Sequence, residues 1–173
     1  MEDKEPMTHA RAGLLISAAV IIASIIPMLG GGTAQAGSGL ITYAILLGGL
    51  VVVINLYGKA KKGNVTFSEL FSYGFKTTAV YTVIFVGFLI LFSIVVPDFK
   101  TTALAATRKQ MEAGADVRQQ QVTESLNALD KYFWVFAIGG TTLFFVIIGA
   151  IGSLLGAAIT KKNPQTPFDQ TVA

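Results

Sequence analysis

Cysteine is missing from this 173-residue chain, and there is one histidine, His9. The first absence excludes disulfides, iron–sulfur clusters and thiolate zinc sites. The second leaves no pair of imidazoles for a metal and no histidine for a serine triad, because His9 lies in the polar leader. Charge is scarce as well, at 13% of residues against about 25% in an average soluble domain. No basic run is long enough to suggest nucleic acid, and no glycine loop is built to cradle phosphate. We therefore expect no enzyme, no cofactor, no metal site and no nucleic-acid partner.

Apolar residues are what the chain does have. They make up 53% of it, and the mean hydropathy is +0.63. A soluble fold of this size has too high a surface-to-volume ratio to hide so much apolar surface. Lipid is the solvent that accepts it. The apolar residues fall in four stretches, about 12–29, 38–57, 77–96 and 132–160. A helix of about 20 residues crosses a hydrocarbon core about 30 Å thick, so each stretch reads as one span. The last would be about 43 Å long at 1.5 Å per residue, so it must tilt or protrude.

The first span ends at Gly30-Gly31-Gly32. Ala34-Gln35-Ala36 after it resembles a cleavage site. The apolar run is nevertheless longer than the 7–15 residues of a signal core, and the leader's positive charge is weak, so we read the segment as uncleaved. Tyr43 and Tyr57 sit toward the ends of the second span, where such rings favour the headgroup level. A short basic loop, Lys59 to Asn64, follows. Thr66-Phe67-Ser68-Glu69 matches a capping box and predicts a helix from Phe67. Phe67, Phe71 and Phe75 recur every four residues as an apolar stripe, read as an interfacial segment ahead of the third span. Lys76 can snorkel to the headgroups, and Pro97 ends that span.

Residues 98–131 form the one long polar stretch. Leu104, Met111 and Ala115 predict one helix, with Gly114 at its end. Asp116, with Gln119 in the reciprocal position, predicts the cap of a second, carrying a stripe of Val122, Leu126, Leu129 and Phe133. The pair reads as a hairpin whose second arm runs straight into the fourth span. Tyr132, Phe133 and Trp134 form an aromatic belt there. The expected fold is all-α: a polytopic four-transmembrane-helix bundle, residues 1–162, with an extracytoplasmic helical hairpin between helices three and four. Residues 163–173 read as a flexible cytoplasmic tail.

Orientation follows from Lys and Arg, which favour the cytoplasmic side. With the N-terminus inside, Lys4, Arg11, Lys59, Lys61, Lys62, Lys76, Lys161 and Lys162 fall inside, and Lys100, Arg108, Lys109, Arg118 and Lys131 outside. The two short loops contrast most: the first outside loop has no basic residue, while the inside loop has Lys59, Lys61 and Lys62. Both ends are expected in the cytoplasm.

Inside the spans no ionisable residue lies mid-helix, which argues against a proton-coupled pump. Ser17, Ser24, Thr42, Asn55, Thr77, Thr78, Thr82, Ser93, Thr141, Thr142 and Ser153 read as helix glue. The helix-packing candidates are small residues that let backbones approach: Gly149, Gly152 and Gly156 late in the chain, and Gly48 and Gly49, with Ala44, in the second span.

The run TFSELFSYGF at 66–75, the Pro97-Asp98 exit, the polar pair near Gly114 and the ending Lys161-Lys162-Asn163-Pro164 together resemble an uncharacterised bacterial membrane family, domain of unknown function 4199. The resemblance covers nearly the whole chain. It implies a bacterial inner membrane, multi-pass, and carries no known activity or functional residues. The function expected is that of a non-enzymatic scaffold or accessory subunit, in contact with membrane lipids and with another membrane or periplasmic protein through residues 98–131. The alternative is an oligomeric transporter or channel for a small solute or ion, its lining candidates Gly139, Gly140, Thr141 and Thr142; it would require a homo-oligomer, since four helices enclose no generous pore alone.

Overall fold

A computed structural model describes residues 5–29, 36–113 and 119–163, with the side chains of 26–29 and 36–41 excepted. Of the described residues, 86% are helical. Six α-helices follow one another among the described residues: α1 (His9–Leu29), α2 (Ala36–Ala60), α3 (Phe67–Val95), α4 (Phe99–Glu112), α5 (Gln119–Lys131) and α6 (Thr141–Ile159). A π-helical segment, Val135–Gly140, leads into α6. Among the described residues three helices are long and apolar enough to cross a membrane: Thr42–Ala60, Phe67–Val95 and Val135–Ile159. A shorter apolar helix covers His9–Ile25. These lengths and compositions mark an all-helical membrane protein.

Local chemistry sets the helix ends. Thr8 accepts the Arg11 N–H at 3.3 Å and starts α1 ahead of the apolar run, as a hydroxyl cap does. At the end of α2 the Gly63 N–H donates to the Gly58 carbonyl and Lys62 N–H to that of Lys59, both at 2.9 Å. Lys62 and Gly63 have φ of 55° and 78°. This pattern is a Schellman ending with a lysine where glycine is usual. Two residues on, the Thr66 N–H donates to Glu69 Oε2 at 2.7 Å and the Glu69 N–H to Thr66 Oγ1 at 3.2 Å. The expected capping box is thus formed. Val65 and Leu70, on either side of the cap, are both buried in one cluster, the arrangement of a hydrophobic staple.

By its contacts the chain divides into two compact units. The first takes residues up to Phe85 and from Phe145 onward. Its core gathers Ala12, Ile16 and Val20 of α1, Leu46, Leu50 and Ile54 of α2, Leu70, Tyr73 and Tyr81 of α3, and Phe145 and Ala157 of α6. The second is Val86–Phe144. There α4 and α5 are in contact, with a Lys100–Asp130 ion pair at 2.8 Å and Phe99 edge-on to Phe133 at 6.1 Å. Val122 and Phe133 are buried and Leu126 and Leu129 half-buried, so the predicted stripe is the inward face of α5.

One detail differs from expectation. The second polar helix does not run straight on, because α5 stops at Lys131 and Tyr132 sits in a turn before the π-helical segment. Arguments from a 3.6-residue period assume an unbroken helix and pass over an inserted residue. Phe67, Phe71 and Phe75, the apolar stripe expected at the start of α3, lie apart from its most buried residues. Phe67 and Phe75 are exposed, while the buried residues are Leu70, Tyr73, Gly74, Thr77, Thr78, Tyr81 and Thr82. The expectations placed on Gly30 to Gly32, Ala34-Gln35, Gly114 to Asp116 and the tail after Asn163 lie outside the described residues.

Candidate functional site

Residues three and four apart share one face of a helix. On α6 the buried set Gly149, Gly152, Ser153, Gly156 and Ala157 has this spacing, and so does the buried set of α3. The α6 face carries little side-chain bulk and the α3 face is small at Gly74, Thr77 and Thr78, which lets backbones approach where dispersion drives association in lipid. A Cβ placed on Gly149 would overlap the Thr78 side chain. One on Gly156 would lie 2.6 Å from Ile54 Cδ1, and one on Gly152 would lie 3.0 Å from Leu50 Cδ1 and 3.1 Å from Leu47 Cδ2. α6 is therefore packed against α2 and α3 along one glycine seam.

Buried hydroxyls lie in the same unit. Each turns back to the carbonyl one turn earlier in its own helix: Ser17 to Gly13 at 2.6 Å, Thr77 to Tyr73 at 2.9 Å, Thr78 to Gly74 at 3.1 Å, Thr82 to Thr78 at 2.8 Å, Ser153 to Gly149 at 2.6 Å. Such bonds satisfy the hydroxyl without a partner helix. These side chains are small, internally paired and committed to packing. Among the described residues, Tyr81 holds the buried side-chain polar atom without a hydrogen-bond partner. Its ring packs edge-on to Phe145 at 4.8 Å and lies 5.8 Å from Phe85.

Of the five glycines singled out in the sequence, Gly149, Gly152 and Gly156 meet neighbours as just described. A Cβ on Gly49 would lie 3.2 Å from Ile16 Cγ1, so this glycine faces α1. Gly48 departs from the expectation: it is exposed, with nothing within 4 Å of its Cβ position. One residue of rotation, about 100° on a helix, carries it off the packed face. Three further close positions were not among them. A Cβ on Gly13 would lie 2.8 Å from Val80 Cβ, one on Gly58 2.5 Å from Thr160 Cγ2, and one on Gly74 2.6 Å from Ile54 Cδ1. Gly13-xxx-Ser17 and Gly74-xxx-Thr78 are small-residue pairs that a wider search pattern would have found.

The polar candidates lie at helix ends. Lys76 and His9 are exposed; both line an open cleft with Lys61, Glu69 and the Tyr57–Tyr73 ring pair, stacked at 4.2 Å. The Tyr73 hydroxyl donates to the Met7 carbonyl at 2.9 Å, tying the leader to α3. Asn55 is half-buried and lines a second cleft, at the ends of α2 and α6. In the second unit Gly139 and Gly140 are exposed, Thr141 and Thr142 half-buried. No group of three or more His, Cys, Asp or Glu side chains suited to a metal occurs among the described residues.

Apolar helices of spanning length, closed on each other through glycine and self-satisfied hydroxyls, define a helical membrane protein. Residues 11–162 match the family described as "Protein of unknown function (DUF4199)", and the chain belongs to that family. No curated protein and no solved structure matches the chain.

Proposed function

We propose that this protein is a non-enzymatic scaffold or accessory subunit of the bacterial inner membrane. It crosses the membrane four times, with both termini in the cytoplasm, and presents α4 and α5 as a helical hairpin on the outer side. α1 supplies the fourth span: its 21 residues extend about 32 Å at 1.5 Å each. The observation that carries the reading is the contrast between spans and polar helices. The spans bury their polar groups against themselves. α4 has no fully buried residue and α5 has Val122 alone, although both are regular helices. Their open faces mix Arg108, Glu112, Gln120 and Glu124, a balanced surface suited to a protein contact.

Crosslinking in intact membranes followed by purification in mild detergent tests the reading. A partner crosslinked through positions on α4 or α5 is the expected result; a strictly monomeric protein with no crosslink through either helix contradicts it. Solute or ion flux through the reconstituted protein would instead favour an oligomeric channel, with the π-helical segment and its exposed Gly139 and Gly140 as the place to look for a lining.

A further inference from the structure

The ends of α2 and α6 are joined more closely than a chance meeting of two helices requires. The Asn163 N–H donates to the Gly63 carbonyl at 2.7 Å. Thr160 lies so close to Gly58 that a Cβ there would be 2.5 Å from its methyl group. Beside this junction lies a cleft of about 620 Å³. Lys59 and Lys62 reach it from the end of α2, and Lys161 and Lys162 from the end of α6, with Asn55 and Asn163 between them. Among the described residues no acidic one lines it.

Charge bookkeeping decides what such a cleft attracts. Two helix C-termini meet here, each worth roughly half a negative charge. The ammonium groups of Lys59, Lys161 and Lys162 outweigh them, leaving roughly two positive charges. Part of the set is also held in place. Lys162 Nζ donates to the Ala157 carbonyl at 2.6 Å and lies 5.4 Å over the Phe67 ring. The Lys62 backbone sits in a left-handed turn. A multiply cationic cleft with amide side chains, and with no acidic side chain among the described residues that line it, suits a phosphate oxyanion.

The surface beyond the cleft identifies the rest of the ligand. Leu56 and Val52 lie one and two turns before Lys59 on the same face of α2, and Ile159 and Leu155 hold the matching places before Lys162 on α6. All four are exposed, at 50%, 56%, 63% and 51%. Cations at the ends of two apolar helices, with exposed aliphatic side chains below them, fit an amphiphile. A free anion would have no use for the aliphatic part. We propose that this cleft binds the phosphodiester headgroup of an anionic phospholipid, whose acyl chains lie along α2 and α6. The site is independent of any partner held by α4 and α5.

The test uses the full-length protein in a non-ionic detergent, titrated with phosphatidylglycerol or phosphatidylcholine and followed by native mass spectrometry. The expected result is binding of phosphatidylglycerol about tenfold or more tighter than of phosphatidylcholine. That preference should be lost in Lys59→Gln/Lys161→Gln, which spares the Lys162 cap. It should be kept in Lys59→Arg/Lys161→Arg and in Arg108→Gln/Lys109→Gln, which removes equal charge from α4. Equal binding of the two lipids by the wild type overturns the proposal, even if the Gln variant fails to fold. An unchanged preference in the Gln variant overturns it as well. Inorganic phosphate raising the melting temperature as much as phosphatidylglycerol, at equal phosphate concentration, would make the site one for a free anion and also overturn it.

Discussion

The two compact units use the same residue type to opposite ends. In the first, glycine marks contact almost throughout, with Gly48 the exception: Gly13, Gly58, Gly74, Gly149 and Gly156 have no room for a methyl group unless a neighbour moves. In the second, Gly87, Gly139 and Gly140 have nothing within 4 Å of a Cβ position. That unit is held instead by rings, from Phe88 and Phe92 through Phe99 to Phe133 and Trp134, and by the Lys100–Asp130 pair. A glycine in a membrane helix is therefore informative only together with what faces it. Its presence alone reflects a composition in which glycine is common.

The largest expected effects break this contrast directly. Gly149→Ala forces a methyl group onto Thr78, a β-branched residue stiff at χ1, whose hydroxyl is engaged with Gly74. Overpacking of this kind costs about 1–3 kcal/mol, so the variant should melt well below the wild type in detergent. Gly152→Leu should fall at least as far, because Leu50 and Leu47 already stand at contact distance. Val146→Leu, on an exposed position of the same helix, should change little. Gly87→Ala should shift the melt the other way, by about 0.5–1 kcal/mol, since it removes a flexible residue from a helix interior where there is open space. A loss of stability at Gly87 equal to that at Gly149 would erase the distinction between the units.

A smaller effect sharpens the comparison at two helix starts. Thr66 and Glu69 bond reciprocally at the head of α3. Asp98 stands in the capping position of α4 and makes no side-chain cap. Thr66→Ala should therefore cost about 1 kcal/mol, and Asp98→Ala close to nothing, in thermal melts run side by side. The smallest effect belongs to Lys100 and Asp130, whose side chains are 39% and 60% exposed. Surface pairs contribute about 0–1 kcal/mol, and Lys100→Gln should cost less as salt is raised.

Much of this was legible in the sequence. Length and apolarity announced the helices, because only helices and closed barrels satisfy their backbone in lipid. The capping box at Thr66, the stop at Pro97 and the stripe through Val122 and Phe133 were each carried by residues of fixed spacing. What escaped depends on how helices face one another. Gly48 and Gly49 are adjacent, and only the partner's position tells that Gly49 meets Ile16 while Gly48 meets nothing. The Thr8 cap, the left-handed Lys62 and the π-helical turn after Tyr132 escaped for a different reason: no residue there departs from what an ordinary leader, loop or helix would contain. The cleft at the ends of α2 and α6 draws on residues a hundred positions apart, and the sequence shows only two separate lysine clusters.

The central claim, that α3 crosses the membrane and leaves α4 and α5 outside, has one direct test. Because the chain lacks cysteine, single cysteines introduced at Asn64 and at Ser125 have no background. A membrane-impermeant maleimide applied to intact spheroplasts should label Ser125→Cys at once, and Asn64→Cys only after permeabilisation. Labelling of both positions from the same side would mean that α3 does not cross, and would contradict the account.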